Sequence, residues 1–185
     1  NINKTIDELD YEKIKQAIGV ITNADRVYIL GLRSSAFLAG YLGFYLSFIL
    51  DDVKVLTPSA NDVLEQLLKV TDKDVTIGIS YPRYSNRTIE ALRYAKEKRC
   101  KIVGITDSLL SPAAQISDYT LIGSSNMVSF VDSLVAPMSL INALIIGIGM
   151  NKKEDITHYF EDLESIWKKY SVYNVKNTDV ENFNK

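Results

Sequence analysis

Short apolar runs alternate with helix-spaced segments along nearly the whole chain. Apolar runs without polar alternation predict five strands, at residues 26–32, 53–56, 75–79, 102–105 and 119–122. Such runs are typical of strands that helices cover on both faces. Because helical segments separate the strands, the pattern predicts a doubly wound α/β fold, with one five-stranded parallel sheet flanked by helices.

Apolar residues at helical spacing predict helices between and beyond the strands. These helices span residues 5–21, 35–50, 60–70, 85–98, 130–150 and 156–170. A further helix is predicted to begin at Ser111-Pro112, because serine is a good N-cap and proline fits the first helical position. One domain is expected over residues 1–173, with an N-terminal helix in 1–22, a C-terminal helix in 151–173 and a flexible tail over 174–185.

The segment 130–150 is apolar almost all round and needs separate consideration. Asp132, Pro137 and Asn142 interrupt it, and the rest of the chain is not membrane-like. We therefore expect a helix in the core or at a subunit interface, with no membrane contact.

Composition and charge narrow the classes of protein. The 185 residues, 46% hydrophobic and 24% charged, fit one globular domain. A net charge of −2 argues against this segment binding nucleic acid by itself. With one cysteine and one histidine, neither a disulfide nor a transition-metal centre is expected, and no cofactor is predicted. No signal peptide is visible, so a cytoplasmic location is expected.

Polar turns follow three of the predicted strands, at residues 33–35, 80–85 and 106–108. In a parallel sheet, the turns at the carboxyl ends of the strands converge on one crevice. The segment Gly78-Ile79-Ser80-Tyr81-Pro82-Arg83-Tyr84-Ser85-Asn86-Arg87-Thr88 leads from the third strand into a helix. Its hydroxyls, the N–H groups at the helix start and Arg83 would together suit a phosphate.

Structural interpretations also exist for single members of these turns. Capping, helix initiation or turn formation would explain Ser34, Ser35, Ser85, Thr106 and Asp107 one at a time. The convergence of the turns at the strand ends favours a shared binding site instead.

The three turns together resemble those of a SIS (sugar isomerase) domain. The matching segments are Gly31-Leu32-Arg33-Ser34-Ser35, Ser80-Tyr81-Pro82-Arg83-Tyr84-Ser85, and Thr106-Asp107-Ser108 with Ser111-Pro112. The third-strand turn is similar in particular to that of the effector-binding domain of RpiR-type bacterial transcription regulators. The resemblance covers residues 3–172 and implies a SIS-like sheet with flavodoxin-type strand order.

In that family, hydroxyls of the third-strand turn hold the phosphate of a sugar phosphate. By position, the resemblance gives this role to Ser80, Ser85 and Thr88, assisted by Ser34 or Ser35 of the first turn. Of these, Ser80 lies across a turn longer than that of the family's isomerases, so it is the least secure member.

Four further residues are predicted around this ligand. Arg83 is placed on the phosphate side, and Arg33, Thr106 and Asp107 on the sugar side. Arg33 stands where the commoner Gly-x-Gly-x-Ser first turn has its second glycine. This departure would exchange close backbone approach for a guanidinium group.

The resemblance implies a phosphosugar-sensing effector domain of a bacterial transcriptional regulator. Ligand binding would be transmitted to DNA-binding domains through a homodimer or higher homo-oligomer. In such regulators a helix-turn-helix domain comes first, and no segment of this chain looks like one. Because the chain begins at Asn1, we expect that domain, and with it all DNA contact, upstream.

Two other interpretations remain. A sugar-phosphate isomerase needs a base next to the carbonyl and often a histidine for ring opening, and Glu65 and His158 are the candidates. A scaffold with a vestigial pocket would bind no ligand. We expect a sensor and not an enzyme, because a lone histidine near a helix terminus is usually a surface residue and a helical glutamate such as Glu65 usually lies on a solvated face.

Overall fold

A parallel five-stranded sheet lies at the centre of the structure, a computed structural model that describes residues 1–58, 62–127 and 130–173. Its strands are β1 (Val27–Gly31), β2 (Val53–Leu56), β3 (Val75–Ile79), β4 (Lys101–Thr106) and β5 (Tyr119–Ile122). They are arranged in the order β2-β1-β3-β4-β5, with every neighbouring pair parallel. The predicted fold class and strand order are confirmed.

Helices cover both faces of the sheet. The described elements are α1 (Ile2–Asp7), α2 (Tyr11–Thr22), α3 (Ser35–Leu46), α4 (Val63–Gln66), α5 (Asn86–Glu97), α6 (Pro112–Ile116), α7 (Val135–Asn151) and α8 (Lys153–Tyr170). One hydrophobic cluster packs α2, α3 and α7 against the sheet, and a second packs α4, α5 and α6 against the other face. All residues of β1 and β3 are buried as a result.

Several helix boundaries differ from the prediction. The helix expected over residues 5–21 is two helices, because Asp10 accepts a hydrogen bond from the Lys13 backbone N–H and caps α2 there. The helix expected over 60–70 is reduced to α4, which Asp62 caps through the Leu64 N–H. Residues 59–61 and 128–129, and the predicted tail 174–185, lie outside the described residues.

The apolar segment before the C-terminus forms a core helix. The buried residues of α7 are Ala136, Pro137, Leu140, Ile141, Leu144 and Ile148. They pack in the cluster that α7 shares with α2 and α3. Across the described ranges of the chain, no helix is long and apolar enough to cross a membrane.

Close packing at Gly31 positions the start of α3. A Cβ atom built at Gly31 would overlap the backbone carbonyl of Ser35 and lie 3.1 Å from the Ala39 Cβ. A carbonyl in a helix backbone cannot move aside as a side-chain tip can. Gly31 therefore allows the first turn of α3, which carries Ser35, to lie directly against the end of β1.

Replacing Gly31 with alanine is expected to lower the free energy of unfolding by about 2 kcal/mol, because the added methyl group overpacks a rigid contact. Gly40→Ala in α3 is the control. Apart from its chain neighbours and its own helix backbone, no atom lies within 4 Å of a Cβ built at Gly40, so helix propensity should raise stability by about 0.5–1 kcal/mol. Urea unfolding of both variants measures the difference, and equal effects would contradict the packing argument.

Candidate functional site

A cavity of about 320 Å³ opens at the carboxyl ends of β1 and β3. The turn after β1, the turn after β3, the first turn of α5 and Asp132 form its walls. All six residues predicted for the phosphate side line it, namely Ser34, Ser35, Ser80, Arg83, Ser85 and Thr88, and Arg33 lines it too. The structure thus brings two of the three predicted turns together.

Unpaired polar atoms are concentrated in this cavity. In the described part of the chain, four buried side-chain oxygens lack a hydrogen-bond partner: Ser80 Oγ, Tyr81 OH, Thr88 Oγ1 and Asp132 Oδ1. All four residues line the cavity. A buried polar atom without a partner costs about 1–3 kcal/mol, so such atoms are rare and call for an explanation. Because all four belong to residues that line one cavity, this cavity is the candidate site for the polar groups of a ligand.

The start of α5 gives the cavity a preference for anions. Ser85 caps this helix, because its Oγ accepts a hydrogen bond from the Thr88 backbone N–H at 3.4 Å. Ser85 and Asn86 both line the cavity, so the positive end of the 12-residue helix dipole faces it. Capping by Ser85 leaves its remaining lone pair and its proton available, so capping and ligand binding are compatible.

The turn after β1 keeps its glycine-like shape without the second glycine. Arg33 adopts a left-handed backbone conformation, with φ of 59°. Glycine adopts this conformation most easily, so Arg33 has the backbone conformation that the glycine of the commoner sequence would allow. Ser34 makes no side-chain capping hydrogen bond to α3, so capping does not explain this residue. Its hydroxyl is available to bind a ligand.

Two arginines add positive charge at the rim. Among the described residues, neither Arg33 nor Arg83 forms an ion pair, and both are exposed. Arg87, one turn along, is different because it pairs with Asp62 and Glu90, at 2.9 Å to the Glu90 carboxylate. That pairing raises the pKa of Arg87 and leaves it a structural role.

Thr106 and Asp107 support the site from outside. The Tyr84 hydroxyl donates a hydrogen bond to Asp107 Oδ1 at 2.9 Å, and Thr106 Oγ1 lies 3.0 Å from Ser111 Oγ. Ser111 in turn caps α6 through the Ala114 N–H. Neither Thr106 nor Asp107 lines the cavity, so the geometry favours the turn-forming interpretation of both over contact with a sugar.

The two residues considered for catalysis differ in what the structure describes. Glu65 is exposed on α4 and does not line it. The His158 side chain lies outside the described residues. Within the described ranges, no group of His, Cys, Asp and Glu side chains could hold a metal ion.

Sequence reasoning missed two residues of the site, Tyr81 and Asp132. Tyr81 lies in the predicted turn without a predicted role, whereas Asp132 is predicted only as a break in an apolar segment. A single carboxylate in such a segment was the available signal. Burial raises the pKa of Tyr81 well above its ordinary value, so this hydroxyl keeps its proton and can donate it.

Comparisons with known proteins identify the family of this domain. The family model of the SIS domain matches residues 20–147. An HTH-type transcriptional regulator of Caldanaerobacter subterraneus is 25% identical over 172 residues, which cover 89% of this chain and 60% of that protein. The chain thus spans less than two thirds of the length of this relative.

Solved structures agree on the fold. The sugar isomerase domain of an RpiR transcription factor from Sphaerobacter thermophilus has a TM-score of 0.85 and 29% identity, covering 89% of this chain and 92% of its own. The Vibrio vulnificus NanR protein, solved in complex with ManNAc-6P, has a TM-score of 0.78 and 15% identity over 91% of this chain and 65% of its own. Sugar-phosphate isomerases, at 20% identity, also share the fold.

The Tyr84–Asp107 hydrogen bond is open to a pH test. Burial and this hydrogen bond raise the pKa of Tyr84 to about 12, so the fold favours the protonated phenol. Tyr84→Phe is expected to lower the free energy of unfolding by about 1 kcal/mol near neutral pH. The contribution of Tyr84 should be fully present below the ordinary pKa near 10 and should disappear as the pH rises towards 12.

Urea unfolding of both proteins between neutral pH and pH 11 measures this effect. Tyr11→Phe, at an exposed tyrosine, is the control and should leave stability nearly unchanged. If the free energy of unfolding that Tyr84→Phe loses stays constant up to pH 11, the phenol proton does not make the stabilising contact.

Proposed function

Because the chain belongs to the SIS domain family, we propose that it is the phosphosugar-sensing effector domain of a bacterial transcriptional regulator. The observation that carries the proposal is the set of unpaired buried oxygens around one cavity at a helix N-terminus. Relatives among the HTH-type regulators, and the ManNAc-6P complex of NanR, support the ligand class and the setting.

The phosphate binds at the start of α5 in this proposal. Thr88 Oγ1 and Ser80 Oγ donate to phosphate oxygens, and Ser85 and Arg83 complete that end of the cavity. Ser34 and Ser35 approach from the turn after β1. A cavity of about 320 Å³ is at the lower end of the range of about 300–1,000 Å³ usual for small-molecule sites, which suits a single sugar phosphate.

A sugar-phosphate isomerase is the second candidate, because such enzymes share the fold. Proton transfer next to a carbonyl requires a base within reach of the substrate. Glu65 is exposed and does not line the cavity, so the geometry supports binding without turnover better than catalysis.

Assembly and DNA contact complete the proposal. Large apolar side chains are exposed on α3 at Phe37 and Phe44 and on α7 at Ile146 and Met150, which supports a homodimer or higher homo-oligomer. DNA would be bound by a separate helix-turn-helix domain of the full-length regulator. A cytoplasmic location, where DNA and phosphorylated sugars are both present, belongs to the same proposal.

The N-terminal helix provides a route for the signal. Thr5 Oγ1 accepts a hydrogen bond from the Ser124 N–H at 2.8 Å, and Asn1 Oδ1 accepts one from the Asn126 N–H at 3.0 Å. Ser125 Oγ donates to the Ser133 carbonyl at 3.0 Å, next to Asp132 in the cavity wall. A ligand that shifts this wall would therefore shift α1, the element nearest an upstream domain.

Thr88→Val is expected to weaken binding of a sugar phosphate at least about tenfold, since it removes a hydrogen bond to a charged group. It should not lower the stability of the ligand-free protein, because Thr88 Oγ1 has no partner among the described residues. Thermal shift with a panel of sugar phosphates, followed by calorimetry on those that bind, measures both effects. Ser85→Ala should weaken binding and also lower unfolding stability by about 1 kcal/mol.

Asp10→Ala is the matched control, because Asp10 also caps a helix, α2, but does not line the cavity. It should lower stability and leave affinity unchanged. Unchanged affinity in the Thr88→Val, Ser85→Ala double variant would refute the phosphate site. Product formation that Glu65→Gln abolishes would replace the sensor with the isomerase, and a chain that binds no sugar phosphate would contradict both.

Ligand binding is also expected to reduce amide hydrogen exchange in α1 and in residues 123–126. Thr5→Val should remove the protection of α1, because it breaks the bond to Ser124, while affinity stays nearly unchanged. Thr22→Val, which breaks a hydrogen bond within α2, is the control and should preserve the protection. Protection confined to the cavity wall in the unmodified chain would rule out this route.

A further inference from the structure

Asp132 differs chemically from the other residues of the cavity. Of the described residues, it is the one carboxylate that lines the cavity, and it comes from the segment between β5 and α7 instead of from the hydroxyl-bearing turns. Its Oδ1 is buried and has no hydrogen-bond partner among the described residues. The cavity thus combines donors at the start of α5 with an acceptor on a separate element.

The bonding needs of this oxygen restrict what can lie beside it. An ionised carboxylate accepts hydrogen bonds and donates none, and a buried one is costly until a donor or a cation reaches it. Arg33 and Arg83 line the same cavity, but neither forms an ion pair with Asp132 in the described part of the chain. Tyr81 OH, which also lines the cavity, forms no hydrogen bond with it either, so a donor group of a bound ligand would satisfy this oxygen.

We infer that Asp132 determines ligand specificity by accepting a hydrogen bond from a hydroxyl or ammonium group on the sugar, away from the phosphate. This inference rests on the proposed function, because it takes the phosphate to be at the start of α5. The ligand class is narrowed to sugar monophosphates that carry such a donor. Sugar acids and bisphosphates that place a second anion against Asp132 are rejected, because like charges in a confined site repel.

Asp132→Asn tests the inference with little change in volume. The probes are glucose 6-phosphate, fructose 6-phosphate, glucosamine 6-phosphate and N-acetylmannosamine 6-phosphate, with 6-phosphogluconate, fructose 1,6-bisphosphate and inorganic phosphate. The unmodified chain should bind one or more of the four monophosphates more tightly than the acid and the bisphosphate. Asp132→Asn should weaken that binding at least about tenfold and leave the weak binding of inorganic phosphate unchanged.

Comparison of two ligands shows whether the sugar donates through an ammonium group or a hydroxyl group. If the preferred ligand uses an ammonium group, glucosamine 6-phosphate should lose more affinity than glucose 6-phosphate in Asp132→Asn, because a charge pair is lost. If it uses a hydroxyl group, the two should lose similar factors. Asp132→Asn should also relax selection against 6-phosphogluconate.

Controls distinguish specificity from structure. Asp51→Asn removes an equal charge from an exposed residue beside the amino end of β2 and should change no affinity. Ligand-free Asp132→Asn should unfold at the same temperature or higher, whereas a structural carboxylate would lower that temperature.

The possible failures are distinguishable. Unchanged monophosphate affinity in Asp132→Asn, with binding still lost in Thr88→Val, would overturn this inference alone. The inference would also be overturned if the unmodified chain bound 6-phosphogluconate or fructose 1,6-bisphosphate more tightly than the four monophosphates. Loss of inorganic phosphate binding in Asp132→Asn would place the carboxylate at the phosphate end and would likewise overturn it. If Thr88→Val leaves the affinity for every probe unchanged, the proposed function itself is refuted.

Discussion

Coverage of the parallel sheet on both faces is the constraint from which the rest of the structure follows. Every residue of β1 and β3 is buried, so the faces of the sheet have no room for polar chemistry. The chain can reach a ligand only where the strands end and the polar turns begin. At that edge α3 and α5 begin beside the cavity, and the residues at their starts, together with the turn after β3, supply the hydroxyls that line it.

Two aspartates at opposite edges of the sheet illustrate the difference between structure and function. Asp74, next to the amino end of β3, is fully buried and accepts hydrogen bonds from Arg26 Nε, Arg26 Nη2, the Thr71 N–H and Thr71 Oγ1, at 2.7 to 3.1 Å. Asp132, at the carboxyl edge, has a buried oxygen with no such partner among the described residues. The same fold therefore can satisfy a buried carboxylate, and it does so at the edge that has no proposed ligand.

The sequence was informative wherever the signal was local. The bounds of β2, β3 and β5 were predicted to the residue, because short apolar runs between turn signals leave little freedom. The sequence placed Ser85 and Thr88 together, because residues three positions apart at the start of a helix lie close to each other. The break at Asp10 was missed, although its capping potential was visible, because apolar spacing continues across it.

What could not be predicted depends on tertiary packing. Asp132 is 44 positions after Thr88, and no periodicity shows that the two line one cavity. The hydrogen bond from Tyr84 to Asp107 likewise joins two turns that sequence alone treats as independent, and it explains why Asp107 supports the site from outside.

For ligand binding, the hydrogen bond between Tyr84 and Asp107 means that the turn after β3 is already ordered when a ligand arrives. Immobilising a loop and its side chains on binding opposes association, by about 0.5–1.5 kcal/mol for each long side chain that is fixed. A turn that is bonded through Tyr84 to Asp107, the residue directly after β4, has lost much of that freedom during folding. Preorganisation of this kind lets a small ligand with few polar groups bind well, and it makes affinity sensitive to residues that the ligand never touches.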